Sequence, residues 1–184
     1  MHKLGAPGEN GWDDDAIEHV HPAIYEVRQD RQRLYAGVPF GNPFIFQALT
    51  LSLQPPYILL YVLHTPRGEA DPGRYQSPPL SEQEFKTFMQ IYGPYLGSDG
   101  RFDVWARSHE DNATIVWDRH NFLFAYEPVD NFIRIMSALN FSQGDVPKLD
   151  NHVHHYRDEC DADAAAILTA LDWQWSPLRP EDEQ

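Results

Sequence analysis

The chain has 184 residues, of which 28 are Asp or Glu and 14 are Lys or Arg, and its formal net charge is -14 with histidine neutral. This negative charge argues against a nucleic-acid-binding protein and against docking on acidic lipid, because both require clustered basic side chains. The length favours a single domain, and the aromatic content of 13% excludes a chain that is disordered throughout.

The negative charge is concentrated at the two ends of the chain. Residues 1–30 and 151–184 together carry eleven of the fourteen excess negative charges, so residues 31–150 are nearly balanced. Glycine, proline and a run of aspartates near the start favour an irregular segment there. The sequence therefore predicts a mobile acidic arm, a single folded domain and an acidic tail, over residues 1–22, 23–178 and 179–184 respectively.

Two observations bear on where the protein works. The longest apolar run, residues 58–63, is too short to span a bilayer, so we expect no membrane association. Cys160 is the single cysteine and cannot form an internal disulfide, which suits a reducing compartment. We therefore expect a cytoplasmic protein.

The first clear element in chain order is a strand, followed by a long loop. Residues 57–64 are apolar at nearly every position, which is typical of a buried strand. Residues 65–80 contain four prolines and two glycines, so we predict a loop without helix or strand. This loop carries Arg67, Arg74 and Tyr75, which are residue types common at binding hot spots. We predict these three as a binding surface, with plain surface padding as the equal alternative.

A helix is predicted directly after this loop. Ser81 and Glu84 have the spacing of a capping box. Apolar side chains then recur at helical spacing, at Phe85, Phe88, Met89 and Tyr92. The glycines and proline that follow predict an end near residues 93–94 or at Gly97.

The pattern then changes to the period of two that strands show. Residues 102–107, 113–117 and 122–126 predict a three-stranded antiparallel meander. Asp118, Arg119, His120 and Asn121 form the loop between its last two strands. These groups would suit general acid–base chemistry inside a pocket, but Asp and Asn are also favoured in turns. We favour the turn interpretation.

Two further helices complete the predicted fold. One follows Pro128 and buries Phe132 and Met136, and the other covers about residues 161–171 after several acidic side chains. Together the elements predict an α+β single domain with a mostly antiparallel sheet of five or six strands and three or four helices packed on it.

A group of histidines before the last helix offers candidate metal ligands. On a short edge strand, His152 and His154 would project from the same face about 7 Å apart at the backbone, within reach of one divalent ion. Glu159 is the predicted third ligand, and the alternatives are Asp158, His120, His64 or the His19 and His21 pair. A solvated edge strand without metal is the simpler interpretation, which we favour.

No motif of a nucleophilic hydrolase, a phosphate-binding loop or a dinucleotide site occurs in the sequence. We therefore favour a non-enzymatic protein-binding domain, similar to immunity proteins or inhibitors, whose acidic ends attract a basic protein partner. This function needs no cofactor. The alternative is a metal-dependent hydrolase that holds one divalent metal ion at a His-x-His site.

Overall fold

The computed structural model describes residues 3–7, 17–28 and 32–182. These residues form four α-helices and two β-sheets, one of nine strands and one of three. The helices are α1 (Pro43–Thr50), α2 (Glu82–Ser98), α3 (Val129–Ala138) and α4 (Asp161–Ile167). The strands are β1 (Leu4–Ala6), β2 (Ile17–Glu18), β3 (Ile24–Arg28), β4 (Arg33–Gly37), β5 (Tyr57–Leu63), β6 (Gly73–Gln76), β7 (Phe102–Ser108), β8 (Ala113–Trp117), β9 (Phe122–Tyr126), β10 (Ser142–Gln143), β11 (Val153–His154) and β12 (Gln174–Ser176).

The large sheet has the strand order β10-β3-β4-β9-β8-β7-β5-β6-β12, and the small sheet has the order β11-β1-β2. Every strand pair is antiparallel except β10 with β3. The prediction of an α+β fold with a mostly antiparallel sheet and three or four helices is confirmed. The prediction of five or six strands is too low, because several strands are short and carry no clear alternation of apolar and polar residues.

The loop predicted over residues 65–80 contains a strand, so the prediction that it holds none is wrong. β6 pairs with β5, and Tyr75 lies opposite Tyr61. The first residue of this strand is a glycine, Gly73, because the indole of Trp175 covers it. A Cβ at that position would collide with the indole nitrogen. The prolines of the segment lie outside β6, so they remove no hydrogen bond from the ladder.

Helix α2 confirms the predicted capping box. The backbone N–H of Ser81 donates to the Glu84 carboxylate at 2.7 Å, and the Glu84 N–H donates to the Ser81 hydroxyl at 3.3 Å. The predicted apolar positions are buried, and the helix continues through Pro94 to Ser98. The aromatic rings of Phe85 and Phe46 bring α2 and α1 together over the sheet.

The two faces of the large sheet differ in composition because side chains alternate along each strand. One face packs under α1 and α3 and carries the core, including Leu34, Val104 and Ile115. The other face carries Trp105, Val116 and Phe124 side by side, and the short 3-10 helix Pro180–Asp182 borders it. That second face borders the candidate site.

The parts of the predicted acidic arm that the structure describes lie against the domain. β1 pairs with β2 and β11, Lys3 is fully buried, and His21 is 2% exposed. The remainder of the predicted arm, residues 1–2 and 8–16, lies outside the described residues, as do residues 183–184 of the predicted tail. Within the described part of the chain, no helix combines the length and apolarity needed to cross a membrane.

Candidate metal centre and adjoining cavity

Three histidines from two parts of the chain converge at one end of the large sheet. One ligand atom from each of His120, His152 and His154 lies within 4.8 Å of those of the other two. Their ring centroids are 4.9 to 5.2 Å apart, and all three side chains are half-buried. A tetrahedral zinc ion holds its nitrogen ligands about 3.4 Å apart. Small rotations of the imidazoles would therefore close the cluster around one ion.

Turn chemistry places His120 in this cluster. The Asp118 carboxylate accepts the N–H groups of His120 and Phe122 at 3.0 and 2.7 Å, and Asn121 adopts a φ of 59°. The Asn121 side chain is fixed in turn by the indole N–H of Trp117, which donates to it at 2.9 Å. The turn interpretation of this loop is confirmed for Asp118 and Asn121. The same turn also presents an imidazole to the cluster.

Two of the three imidazoles are oriented by a second partner. His120 Nδ1 lies 3.5 Å from the Asp118 carboxylate, and His152 Nδ1 donates to the carbonyl oxygen of Asp150 at 2.9 Å. Metal-binding histidines characteristically hold their other ring nitrogen against a carboxylate or a carbonyl in this way. The Nε2 atoms of His120 and His152 are therefore left to bind an ion.

The third imidazole, of His154, is held in its neutral form. Its pKa is lowered to about 3, chiefly by burial and also by the neighbouring His120 and His152. Its Nδ1 is buried without a hydrogen-bond partner among the described residues. A neutral imidazole has a free lone pair, which is the form that binds metal ions.

The cluster lies between two cavities. A cavity of about 500 Å³ extends from Asp118 and His120 across this second sheet face to Trp105 and Phe124. A second cavity of about 330 Å³ is bordered by His154 and by Arg119, which also lines the first. A ligand could therefore reach the cluster from either side.

The predicted third ligand, Glu159, does not join the cluster. Glu159 is exposed in the short 3-10 helix Asp158–Cys160, and His120 takes its place beside His152 and His154. The sequence pattern named His120 only as one of several alternatives. No local signal could select it, because the contact depends on how β11 lies against the β8–β9 turn.

The predicted binding residues of the 65–80 segment have partners inside the chain. Arg67 pairs with Asp158 and with Asp161, the latter at 3.1 Å. Arg74 pairs with Asp182, and the Tyr75 hydroxyl donates to the carbonyl oxygen of Asp71 at 2.7 Å. These contacts attach the segment to α4 and to the C-terminal region. Recognition of a partner by Arg67, Arg74 and Tyr75 stays a prediction.

Comparison with family models, with curated proteins and with solved structures found no match to this chain. The geometry of the site is therefore the basis for interpreting its function.

Acid should destabilise the fold through His21, which supports the turn of the cluster. His21 is 2% exposed, its Nε2–H donates to the carbonyl oxygen of His120 at 2.9 Å, and burial lowers its pKa from 6.5 to about 4. Between these pH values the unfolded chain binds a proton that the folded chain does not. We expect the free energy of unfolding to fall by about 3 kcal/mol from pH 6.5 to 4 through this residue alone.

Urea unfolding of the native protein and of His21→Gln across this pH range measures that contribution. Glutamine can still donate to the carbonyl of His120 but does not titrate. The difference in free energy of unfolding between the native protein and His21→Gln should therefore change with pH. The difference between the native protein and His109→Gln, which replaces an exposed histidine, should stay constant. Parallel curves for His21→Gln would contradict the prediction.

Proposed function

We propose that this protein is a metal-dependent hydrolase whose divalent ion is held by His120, His152 and His154. One observation carries the proposal, namely the convergence of three ligand atoms from separate parts of the chain to within 4.8 Å of one another. Three protein ligands leave a position for water on a four-coordinate ion, which distinguishes catalytic ions from structural ones. The donors are all imidazole nitrogens, which favours zinc, iron, copper or nickel over magnesium or calcium.

The surrounding side chains support hydrolysis. A bound ion would lower the pKa of its water towards neutrality and supply a hydroxide nucleophile, so a serine or cysteine nucleophile is not required. Asp118 orients His120 from the side away from the cluster, and the adjoining cavity of about 500 Å³ offers space for a substrate. Arg119 borders both cavities and supplies positive charge where negative charge develops on the substrate.

Elemental analysis of the purified protein tests the metal site. We expect about one transition-metal ion per chain, and its loss in the double variant His152→Ala plus His154→Ala, because one remaining imidazole cannot retain the ion. His109→Ala is the matched control, since it removes an exposed histidine in the turn that follows β7. A metal-free native protein whose melting temperature does not respond to added zinc would contradict the site.

A panel of chromogenic esters and phosphoesters tests the reaction class. We expect hydrolysis by the metal-loaded protein, loss of that activity with a chelator, and recovery when the ion is restored. The double histidine variant should stay inactive after zinc is added. Activity that survives chelation would show that the reaction does not need the ion.

A basic-protein-binding domain is the second candidate function. The net charge of -14 supports electrostatic attraction of such a partner, and two exposed aromatic side chains, Phe40 and Phe44, border a cleft of about 520 Å³. A pull-down from the native cell at low and moderate salt tests it. Retention of a basic protein that weakens with salt would support this function, and retention that ignores salt would contradict it.

A further inference from the structure

Arg33 is a buried arginine without a carboxylate partner among the described residues. It lies on β4 and is 9% exposed. Its Nη1 donates to the hydroxyl of Tyr126 at 2.9 Å, and its Nε is buried without a hydrogen-bond partner in the described part of the chain. A buried charge without an opposite charge carries a desolvation cost, which the rings of Phe124 and Tyr126, at 5.1 and 5.8 Å from the guanidinium, offset only in part. A bound anion would supply the missing counter-charge.

The other buried arginines in the described residues do not share this feature. Arg101 pairs with three carboxylates, and Arg74 pairs with Asp182. The fold therefore compensates its buried guanidinium groups elsewhere. The exception at Arg33 lies in the wall of the same cavity of about 500 Å³ that His120 borders.

The strand register sets the distance between Arg33 and the histidine cluster. Arg33 pairs with Tyr126, which pairs with Thr114, whereas Asp118 and His120 belong to the turn at the other end of the β8–β9 hairpin. Asp118 lies four positions beyond Thr114 along the chain, which is about 13 Å of extended backbone. Arg33 and the histidine cluster therefore lie at opposite ends of the cavity wall.

The middle of the cavity is apolar. Trp105, Val116 and Phe124 lie opposite one another on three adjacent strands and form its floor. The indole Nε1 of Trp105 is a second buried donor without a partner among the described residues. The guanidinium groups of Arg74 and Arg33 lie 5.4 and 5.1 Å from the ring centroids of Trp105 and Phe124. A flat apolar group would pack beside them on the rest of this floor, and a neighbouring acceptor oxygen would satisfy the donors.

Acidic side chains also border the cavity, but partners within the chain engage them. The pairs are Asp103 with His64, Asp118 with His120, Asp182 with Arg74 and Glu181 with Arg179. None of these carboxylates approaches Arg33 within the distance of an ion pair in the described residues. Asp182 and Glu181 pair with arginines and Asp103 and Asp118 face histidines, so Arg33 is left without a carboxylate partner among the described residues.

We propose that the cavity binds a substrate with a carboxylate or phosphate group at Arg33, a flat apolar middle section on Trp105 and Phe124, and a hydrolysable bond at the histidine end. The position of the bond rests on the proposed hydrolase function, whereas the anion subsite at Arg33 requires no metal. The substrate class is therefore an elongated aryl or similarly flat anion that reaches from Arg33 to the histidine end of the cavity.

Small probes and the indole signal of Trp105 test the subsite. Phenylacetate and phenyl phosphate are titrated into metal-free, isotope-labelled protein, with phenylacetamide as the neutral counterpart, and Trp105→Phe identifies the signal. We expect saturable shifts with one or both anions and not with the amide. Arg33→Gln should weaken anion binding at least about tenfold, because a hydrogen-bonded counter-charge is lost.

Two further variants make the result decisive. Arg33→Lys retains a positive charge and should bind the anions better than Arg33→Gln, although less well than the native protein. Arg134→Gln changes an exposed arginine of α3, on the opposite side of the sheet, and should leave the affinity unchanged. Both comparisons use proteins whose remaining indole signals match the native spectrum, so a variant that unfolds is recognised directly.

The outcome separates this proposal from the metal proposal. Equal binding of the neutral amide, no binding of either anion, or equal affinity in Arg33→Gln would each overturn the anion subsite. Arg33-dependent binding that persists in the His152→Ala plus His154→Ala variant would support it, even if elemental analysis finds no metal. The preference between phenylacetate and phenyl phosphate assigns the anionic group.

Discussion

Replacing Arg101 with methionine should lower the free energy of unfolding by about 3–5 kcal/mol, because it leaves buried carboxylates without their counter-charge. The Arg101 side chain is fully buried and donates to Asp99 at 2.8 and 2.9 Å. It also donates to Glu69 at 3.1 Å and to Asp161 at 3.0 Å. One guanidinium thus connects the 65–80 segment, the end of α2 and the start of α4.

Arg101 carries its positive charge throughout the pH range in which the protein is folded. Burial alone would lower its pKa, but the hydrogen bonds and negative charge of Asp99 raise it above the usual value for arginine. The side chain therefore stays charged wherever the protein is folded. Methionine fills a similar volume, so the expected loss comes from the unpaired acids rather than from a cavity.

Urea unfolding compares Arg101→Met with Arg107→Met, a substitution of an exposed arginine on β7. The control should change the free energy of unfolding by less than about 0.5 kcal/mol. Arg101→Lys, which keeps the charge but loses the forked geometry, should fall between the native protein and Arg101→Met. If Arg101→Met and Arg107→Met unfold at the same urea concentration, the network does not stabilise the fold.

The same substitution should weaken metal binding from a distance. Arg101 donates to the carbonyl oxygen of Arg157 at 3.2 Å, and Asp99 accepts the backbone N–H of Arg157 at 3.0 Å. These bonds hold the segment that carries His152 and His154. A folded Arg101→Met protein should therefore bind zinc less tightly than Arg107→Met, as measured by competition with a chelator.

Raising the pH from 8 to 10.5 should stabilise the native protein by about 3 kcal/mol relative to Lys3→Met. Lys3 is fully buried, and burial lowers its pKa from 10.5 to about 8, although nearby carboxylates oppose the shift. Below pH 8 the side chain is charged in both states. Between pH 8 and 10.5 only the unfolded chain keeps the proton, so stability rises with pH through that window.

Lys3 also makes favourable contacts that Lys3→Met would lose. Its Nζ donates to the carbonyl oxygen of Asp118 at 3.2 Å and lies 4.1 Å from the ring centroid of Trp117. Below pH 8 these contacts add a constant amount to the difference in free energy of unfolding between the native protein and Lys3→Met. The increase of that difference above pH 8 measures the cost of burying the charge. Lys148→Met, at an exposed lysine, should show no rise. A flat difference for Lys3→Met would mean that Lys3 is solvated and that the first residues do not dock.

Local sequence patterns were sufficient for the central elements of the fold. The capping box and apolar spacing predicted α2, and the alternation of side chains predicted the meander of β7, β8 and β9. β3, β4 and α1 were not predicted, and β6 lies in a segment predicted to be a loop. Their stability comes from pairing and packing with distant residues, which short patterns do not encode.

Some residues of the candidate site were also predictable from the sequence, and others were not. His152 and His154 were recognisable because two residues of strand separate side chains on one face. The choice of His120 over Glu159 was not, because it depends on a contact between residues far apart in the chain. The unpaired Arg33 was likewise hidden, since the sequence does not tell which arginines lie near a carboxylate.

The amino-acid sequence by itself determined the α+β class, the acidic charge and the histidine pair, because each of these depends on composition or on neighbours within a few residues. Only the tertiary structure decided that β1 and β11 pair, and with them the placement of His154 beside the β8–β9 turn. It also decided that Arg33 shares a cavity with His120. Convergence of this kind results from long-range strand pairing and burial, whose free energy depends on the whole fold rather than on any segment of it.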